Sequence, residues 1–111
     1  MIEETIVEYL GENLNVPVSV MHPEKPPQSY VVVERTSGGQ TNQINRATIA
    51  IQSYGPTMFT AGLLNEEVKE AMEGILELDS IGRCHLDNDY MFTDITRKQP
   101  RYQAVYDLRF Y

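Results

Sequence analysis

The chain has 111 residues, room for one domain around one modest core. Sixteen acidic residues against nine basic ones give a formal net charge of -7 at pH 7, a balance that repels polyphosphate and anionic membranes. The basic residues form no run in the sequence: Arg35 and Arg46 flank a polar stretch, Arg97, Lys98 and Arg101 make a short group, and Lys25, Lys69, Arg83 and Arg109 are scattered, so a nucleic-acid reader is not expected.

Cys84 is the single cysteine, which rules out an internal disulfide and fits a reducing compartment. The first residues, Met-Ile-Glu-Glu-Thr, lack a basic start and an apolar run, and no stretch approaches the roughly 20 apolar residues a bilayer span requires. The expectation is a soluble, cytoplasmic protein.

In chain order, Ile2, Ile6, Val7, Leu10 and Leu14 share one face of a predicted helix over residues 2–14, with Glu3, Glu4, Glu8 and Glu12 mostly elsewhere. Val16-Pro-Val-Ser-Val20 reads as a short strand, and Pro17, which cannot donate a ladder hydrogen bond, places it at a sheet edge. Residues 21–29 hold three of the six prolines and form a restricted connector, where His22 is expected to face solvent.

Tyr30 to Tyr54 is the organising stretch. Its flanks are rich in β-branched and aromatic residues and predict two strands, while Ser37-Gly-Gly-Gln-Thr-Asn-Gln-Ile-Asn45 between them predicts a long polar loop. A connection of that length, without residues suited to catalysis, suggests a segment that orders against a partner. In the second strand Ala47, Ile49 and Ile51 alternate with Thr48, Ala50 and Gln52; in the first, Tyr30, Val31, Val32 and Val33 are apolar on both faces, as in a strand covered on both sides, with another subunit as one source of the second cover.

Gly55-Pro56-Thr57 ends that strand and offers Thr57 as a helix cap. From Met58 to about Leu78, Phe59, Leu63, Leu64, Val68, Ala71, Met72, Ile75 and Leu76 make a broad apolar stripe, with Gly62 read as a close-packing position and Gly74 as the start of the helix end. Arg83 to Ile95 predicts one bulged strand or two short ones around Asp87-Asn-Asp89, and Tyr102, Ala104, Tyr106, Leu108 and Phe110 alternate cleanly in a last strand. The fold expected is α+β: two helices on one face of a largely antiparallel sheet of about five strands.

Cys84, His85, Asp87 and Asp89 are the one compact set of metal-ligand types, but neighbouring strand residues point to opposite faces, so no metal site is expected there. No phosphate-binding glycine pattern opens a helix, and no catalytic residue or cofactor is assigned.

The N-terminal helix, the Val16-Pro-Val strand, the proline connector, Tyr30-Val-Val-Val-Glu-Arg-Thr-Ser-Gly-Gly39, Ala50-Ile-Gln-Ser-Tyr54 and the Arg101-Tyr-Gln103 start of the last strand together resemble the small tail-terminator and head-tail completion (minor tail) proteins of long-tailed bacteriophages and prophages. The resemblance covers nearly the whole chain. It implies a non-enzymatic virion structural protein whose fold assembles as a ring, typically a hexamer, at the end of the tail tube, with tail-tube and head-connector proteins as partners. DNA would pass through without sequence-specific binding, and the protein would occupy the bacterial host cytoplasm during assembly and then the virion tail. Arg35, Ser37, Gly38, Gly39, Gln40, Thr41, Asn42, Gln43 and Arg46 are then the candidates for an assembly interface. A head-tail joining protein of the same particle and a cytoplasmic small-molecule-binding α+β domain are the alternatives.

Overall fold

A computed structural model describes residues 1–41 and 43–111, with only the backbone of Thr41. Helix α1 (Ile2–Asn13) is followed by strands β1 (Val18–Ser19), β2 (Tyr30–Thr41) and β3 (Ile44–Tyr54). Helix α2 (Met58–Glu73), a short 3-10 turn (Ile75–Glu77), β4 (Ile81–Met91) and β5 (Arg101–Phe110) complete the chain. The strands form one mixed sheet in the order β1-β2-β3-β5-β4, parallel only where β1 meets β2. This is the α+β architecture that the apolar periodicities predict, with the proline strand at the edge.

Both helices lie on one face. Ile2, Ile6, Tyr9 and Leu10 from α1 and Leu64, Val68 and Met72 from α2 pack with Val31, Val33, Ala47, Ile49, Ile51, Ala104, Tyr106 and Leu108 from the sheet into one core. Each fully buried aliphatic side chain there contributes about 1.5–3 kcal/mol relative to exposure. The Tyr9 hydroxyl donates to the Ala71 carbonyl oxygen at 2.7 Å and fixes α1 against the end of α2. Gly74, the residue that caps α2, leaves the space this hydroxyl needs, since a Cβ there would lie 2.8 Å from it.

Helix α2 begins as the sequence suggests. The Thr57 hydroxyl accepts from the Thr60 amide at 3.1 Å while the Thr60 hydroxyl accepts from the Thr57 amide at 3.0 Å, a reciprocal capping box. Its apolar stripe is narrower than predicted. Phe59 and Leu63 are exposed, as is Leu76 just beyond the helix, while Asn65 is buried and donates to Asp89 of β4 at 2.9 Å. Phe59 and Leu63 follow the helical period, yet they fall on the side that the sheet does not reach.

The predicted Ser37–Asn45 loop is a correction. Strand β2 continues to Thr41 and β3 starts at Ile44, with Ser37 opposite Thr48, Gly39 opposite Arg46 and Thr41 opposite Ile44. The glycines and amides have weak strand preference of their own, but a partner strand already aligned by Tyr30–Arg35 carries the ladder onward. The irregularity is a bulge between Arg35 and Ser37. Strand β4 is likewise one bulged strand, with register shifts between Ile81 and Arg83 and between Leu86 and Asn88.

Candidate interaction surface

Among the described residues the second face of the sheet carries no helix, and strand register orders it into rows. At one end, Tyr30 and Tyr54 stack with ring centroids 4.5 Å apart, next to Arg101. The middle is a side-chain ladder, in which Gln52 donates to Gln103 at 2.9 Å and Gln103 to the Tyr90 hydroxyl at 2.7 Å. The far end is basic.

At the tyrosine end, two connecting segments fold over the sheet. His22, from the proline connector, sets its ring edge-on to Tyr54 with centroids 5.1 Å apart, and the Tyr30 hydroxyl donates to Gln99 at 2.7 Å. This corrects one expectation, since His22 is half-buried rather than solvent-facing, and the second cover expected for β2 is supplied at this end by the chain's own loops. The proline connector returns onto the sheet because Val31 pairs with Val18 and its amide donates to the Pro17 carbonyl at 2.9 Å.

The Tyr54 oxygen holds this end together. It donates to Asp94 Oδ2 at 3.0 Å, accepts from Arg101 Nη1 at 3.1 Å and lies 3.1 Å from His22 Nε2. With its one proton directed to the carboxylate, the tyrosine accepts from histidine, which assigns the proton to Nε2 and leaves the buried Nδ1 without a partner among the described residues. Burial pushes the Tyr54 hydroxyl up to about 12, despite the opposing hydrogen bond and charge of Arg101. Burial likewise lowers His22, helped by the charge of Arg97. For Asp94, burial alone would raise the carboxyl, but the Arg97 amide, the Tyr54 hydroxyl and the Arg101 and Arg97 charges outweigh it and hold it below its usual value. The cluster pins two loops to the sheet through the Tyr54 oxygen.

At the other end, Arg46 on β3 stands opposite Arg109 on β5, and Arg109 stands opposite Arg83 on β4. Three arginines thus sit side by side across three strands. With Ser37, Gly39, Thr48, His85 and Asp107 they line an open cleft of about 370 Å³. Among the described residues Asp107 is the one carboxylate in the lining, and its Oδ1 accepts from the Thr48 hydroxyl at 3.1 Å.

The predicted interface residues divide between the two faces. Ser37, Gly38, Gly39 and Arg46 line the cleft. Arg35 does not: it alternates with Val31 and Val33 onto the helix side of the sheet, and the bulge after it turns Ser37 and Gly39 to the other face; the Arg35 guanidinium lies over Gly38 and Nε donates to the Ser37 carbonyl at 3.4 Å. Gly38 is the position that permits this, since any side chain there would collide with the guanidinium. Gln40 and Gln43 are exposed at the hairpin end, Gln43 with a left-handed φ of 67°. Thr41 closes the ladder with Ile44, and Asn42 lies outside the described residues.

Arg83 and Arg109 are the residues that reading the sequence missed. They stand 37 and 63 positions after Arg46, and pairing alone unites them. The period-2 pattern of the last strand does put Arg109 on the face opposite Tyr106 and Leu108, but it does not show which strand lies beside it.

Cys84 and His85 point to opposite faces, Cys84 against the core and His85 into the basic cleft. Burial pushes the Cys84 thiol up to about 11. No group of three metal-ligating side chains occurs among the described residues, and no helix described is long and apolar enough to cross a membrane. No protein-family model matches the chain, and no curated protein matches it.

Proposed function

We propose that this chain is a virion structural protein of a long-tailed bacteriophage or prophage, a tail terminator that forms a ring at the end of the tail tube and joins it to the head connector. It acts by assembly rather than catalysis. The observation that carries the reading is the helix-free sheet face, a broad surface bearing an arginine row at one end and exposed Tyr90 and Phe92 toward the other. Strand β4, along one side of it, is the last strand in the order of the sheet. A surface mixing arginine and aromatic rings suits contact with other protein. The element order and the Val-Glu-Arg-Thr-Ser-Gly-Gly and Arg-Tyr-Gln motifs supply the resemblance.

Native mass and negative-stain imaging across a wide concentration range, without and with purified tail tubes, test the reading. Closed rings, six-fold above all, or density capping tube ends is the expected result. A protein that neither forms rings nor binds tubes would overturn it.

A further inference from the structure

We propose that the arginine row of one copy docks against the glutamate stripe of α2 on a second copy of the chain; this deepens the ring reading and rests on it. Adjacent strands set Arg46, Arg109 and Arg83 side by side, and like charges directly opposite one another destabilise a sheet. The ion pairs among the described residues engage the N-terminus, Lys69, Arg97 and Arg101, and none of these three arginines. With Asp107 the one carboxylate among the described residues lining the cleft, three arginines leave a surplus of positive charge within one copy, which further carboxylates facing it would relieve.

The same chain carries the counterpart. Glu66, Glu70 and Glu73 are exposed on α2, and their i, i+4, i+7 spacing keeps them on one narrow stripe. Lys69, the one basic residue of α2, is shared between Glu66 at 2.9 Å and Asp89 at 3.0 Å. Glu70 and Glu73 have no basic partner among the described residues.

The two patterns also match in length. Three strands about 4.8 Å apart spread the arginines over roughly 10 Å. Seven residues at 1.5 Å each spread the glutamates over about 10.5 Å. A helix laid across the strands meets the row carboxylate for guanidinium, with the fork geometry that arginine favours. Because the two patches differ and lie on opposite layers of the molecule, the contact is head-to-tail and propagates into a ring or a chain rather than stopping at a two-fold dimer.

Charge exchange tests this. Sedimentation velocity at low salt, from micromolar to millimolar protein, would compare the wild type with R46E/R83E and with E70K/E73K, all exposed positions, after circular dichroism confirms that each is folded. The expected result is wild-type self-association, a loss of about tenfold or more in affinity for each variant alone, and recovery when the two are mixed, since each then offers the other an opposite charge. Rings that persist in both separate variants would overturn this contact and leave the ring reading standing. Folded variants that fail to associate on mixing would overturn it too. A wild type that is monomeric throughout also overturns it, and retention of that monomer on duplex DNA through Arg46 and Arg83 would assign the row to a foreign polyanion. The fate of the ring reading would then rest on tail-tube binding.

Discussion

Tyr54 concentrates three polar contacts on one oxygen, so its removal has a defined cost. Tyr54→Phe keeps the ring stacked on Tyr30 but strips partners from Asp94, Arg101 and His22. Leaving such groups short of a hydrogen bond costs about 1–3 kcal/mol. The midpoint of thermal unfolding should fall by roughly 4–8 °C for each kcal/mol lost. An unchanged midpoint would mean that the hydroxyl adds nothing to stability. The same cluster sets the pH dependence. Asp94 and His22 are both lowered in the fold, so each favours the native state most when deprotonated. Stability from His22 is full above its unfolded value of about 6.5 and is lost as pH falls from there through the lower folded value. Stability from Asp94 is full above about 3.9 and is lost further into acid. Urea titrations from neutral to acid pH should therefore show two successive declines, the first absent in His22→Gln and the second in Asp94→Asn. A flat profile in the wild type would show that neither group is coupled to folding. None of this was legible in the sequence, because residues 22, 54, 94 and 101 meet only through the strand order and the return of the proline connector.

At the scale of elements, reading succeeded where local chemistry and tertiary packing agree. Thr57 after Gly-Pro marked the start of α2, and Thr60 completes the capping box. Thr57→Ala should cost about 1 kcal/mol, seen as a lower unfolding midpoint with unchanged native helix content. Reading failed at Ser37–Asn45, where local preference and pairing oppose each other. Gly, Ser, Asn and Gln promise a loop, yet the ladder from Tyr30 through Arg35 continues past one bulge to the Thr41–Ile44 pair. The hairpin end can therefore be shortened without touching the core, since none of the described side chains from Gln40 to Asn45 is buried. Replacing Gln40–Asn45 with Asn-Gly sets a two-residue turn on the Gly39–Arg46 pair, the connection that strand twist favours. The shortened protein should keep a cooperative thermal transition within a few degrees of the wild type, or about 1 kcal/mol. Native mass would show whether the removed segment contributes to the proposed ring: weaker assembly assigns it a contact, and wild-type assembly excludes one.

Across the whole molecule, exposed glutamates crowd the helix layer, while one end of the second sheet face holds three arginines around Asp107. The composition showed a surplus of acid but not its placement, because the glutamates recur within two helices whereas the arginines come from three strands distant in sequence. The helices carry Glu4, Glu8, Glu12, Glu66, Glu67, Glu70 and Glu73 exposed on one side, and the sheet presents Arg46, Arg83 and Arg109 on the other. A net charge of -7 alone would make copies repel, and added salt would then promote association by screening that repulsion. Sorted charge predicts the opposite trend at short range, because facing layers of unlike sign attract and salt weakens them. The screening length shortens from about 10 Å at 0.1 M to about 3 Å at 1 M ionic strength, so the two trends separate over an accessible range. The weight-average mass at fixed protein concentration should fall as sodium chloride rises. A mass that grows with salt would show that net repulsion governs how the copies meet, and that apolar positions such as Phe59, Leu63 and Phe92 carry the contact.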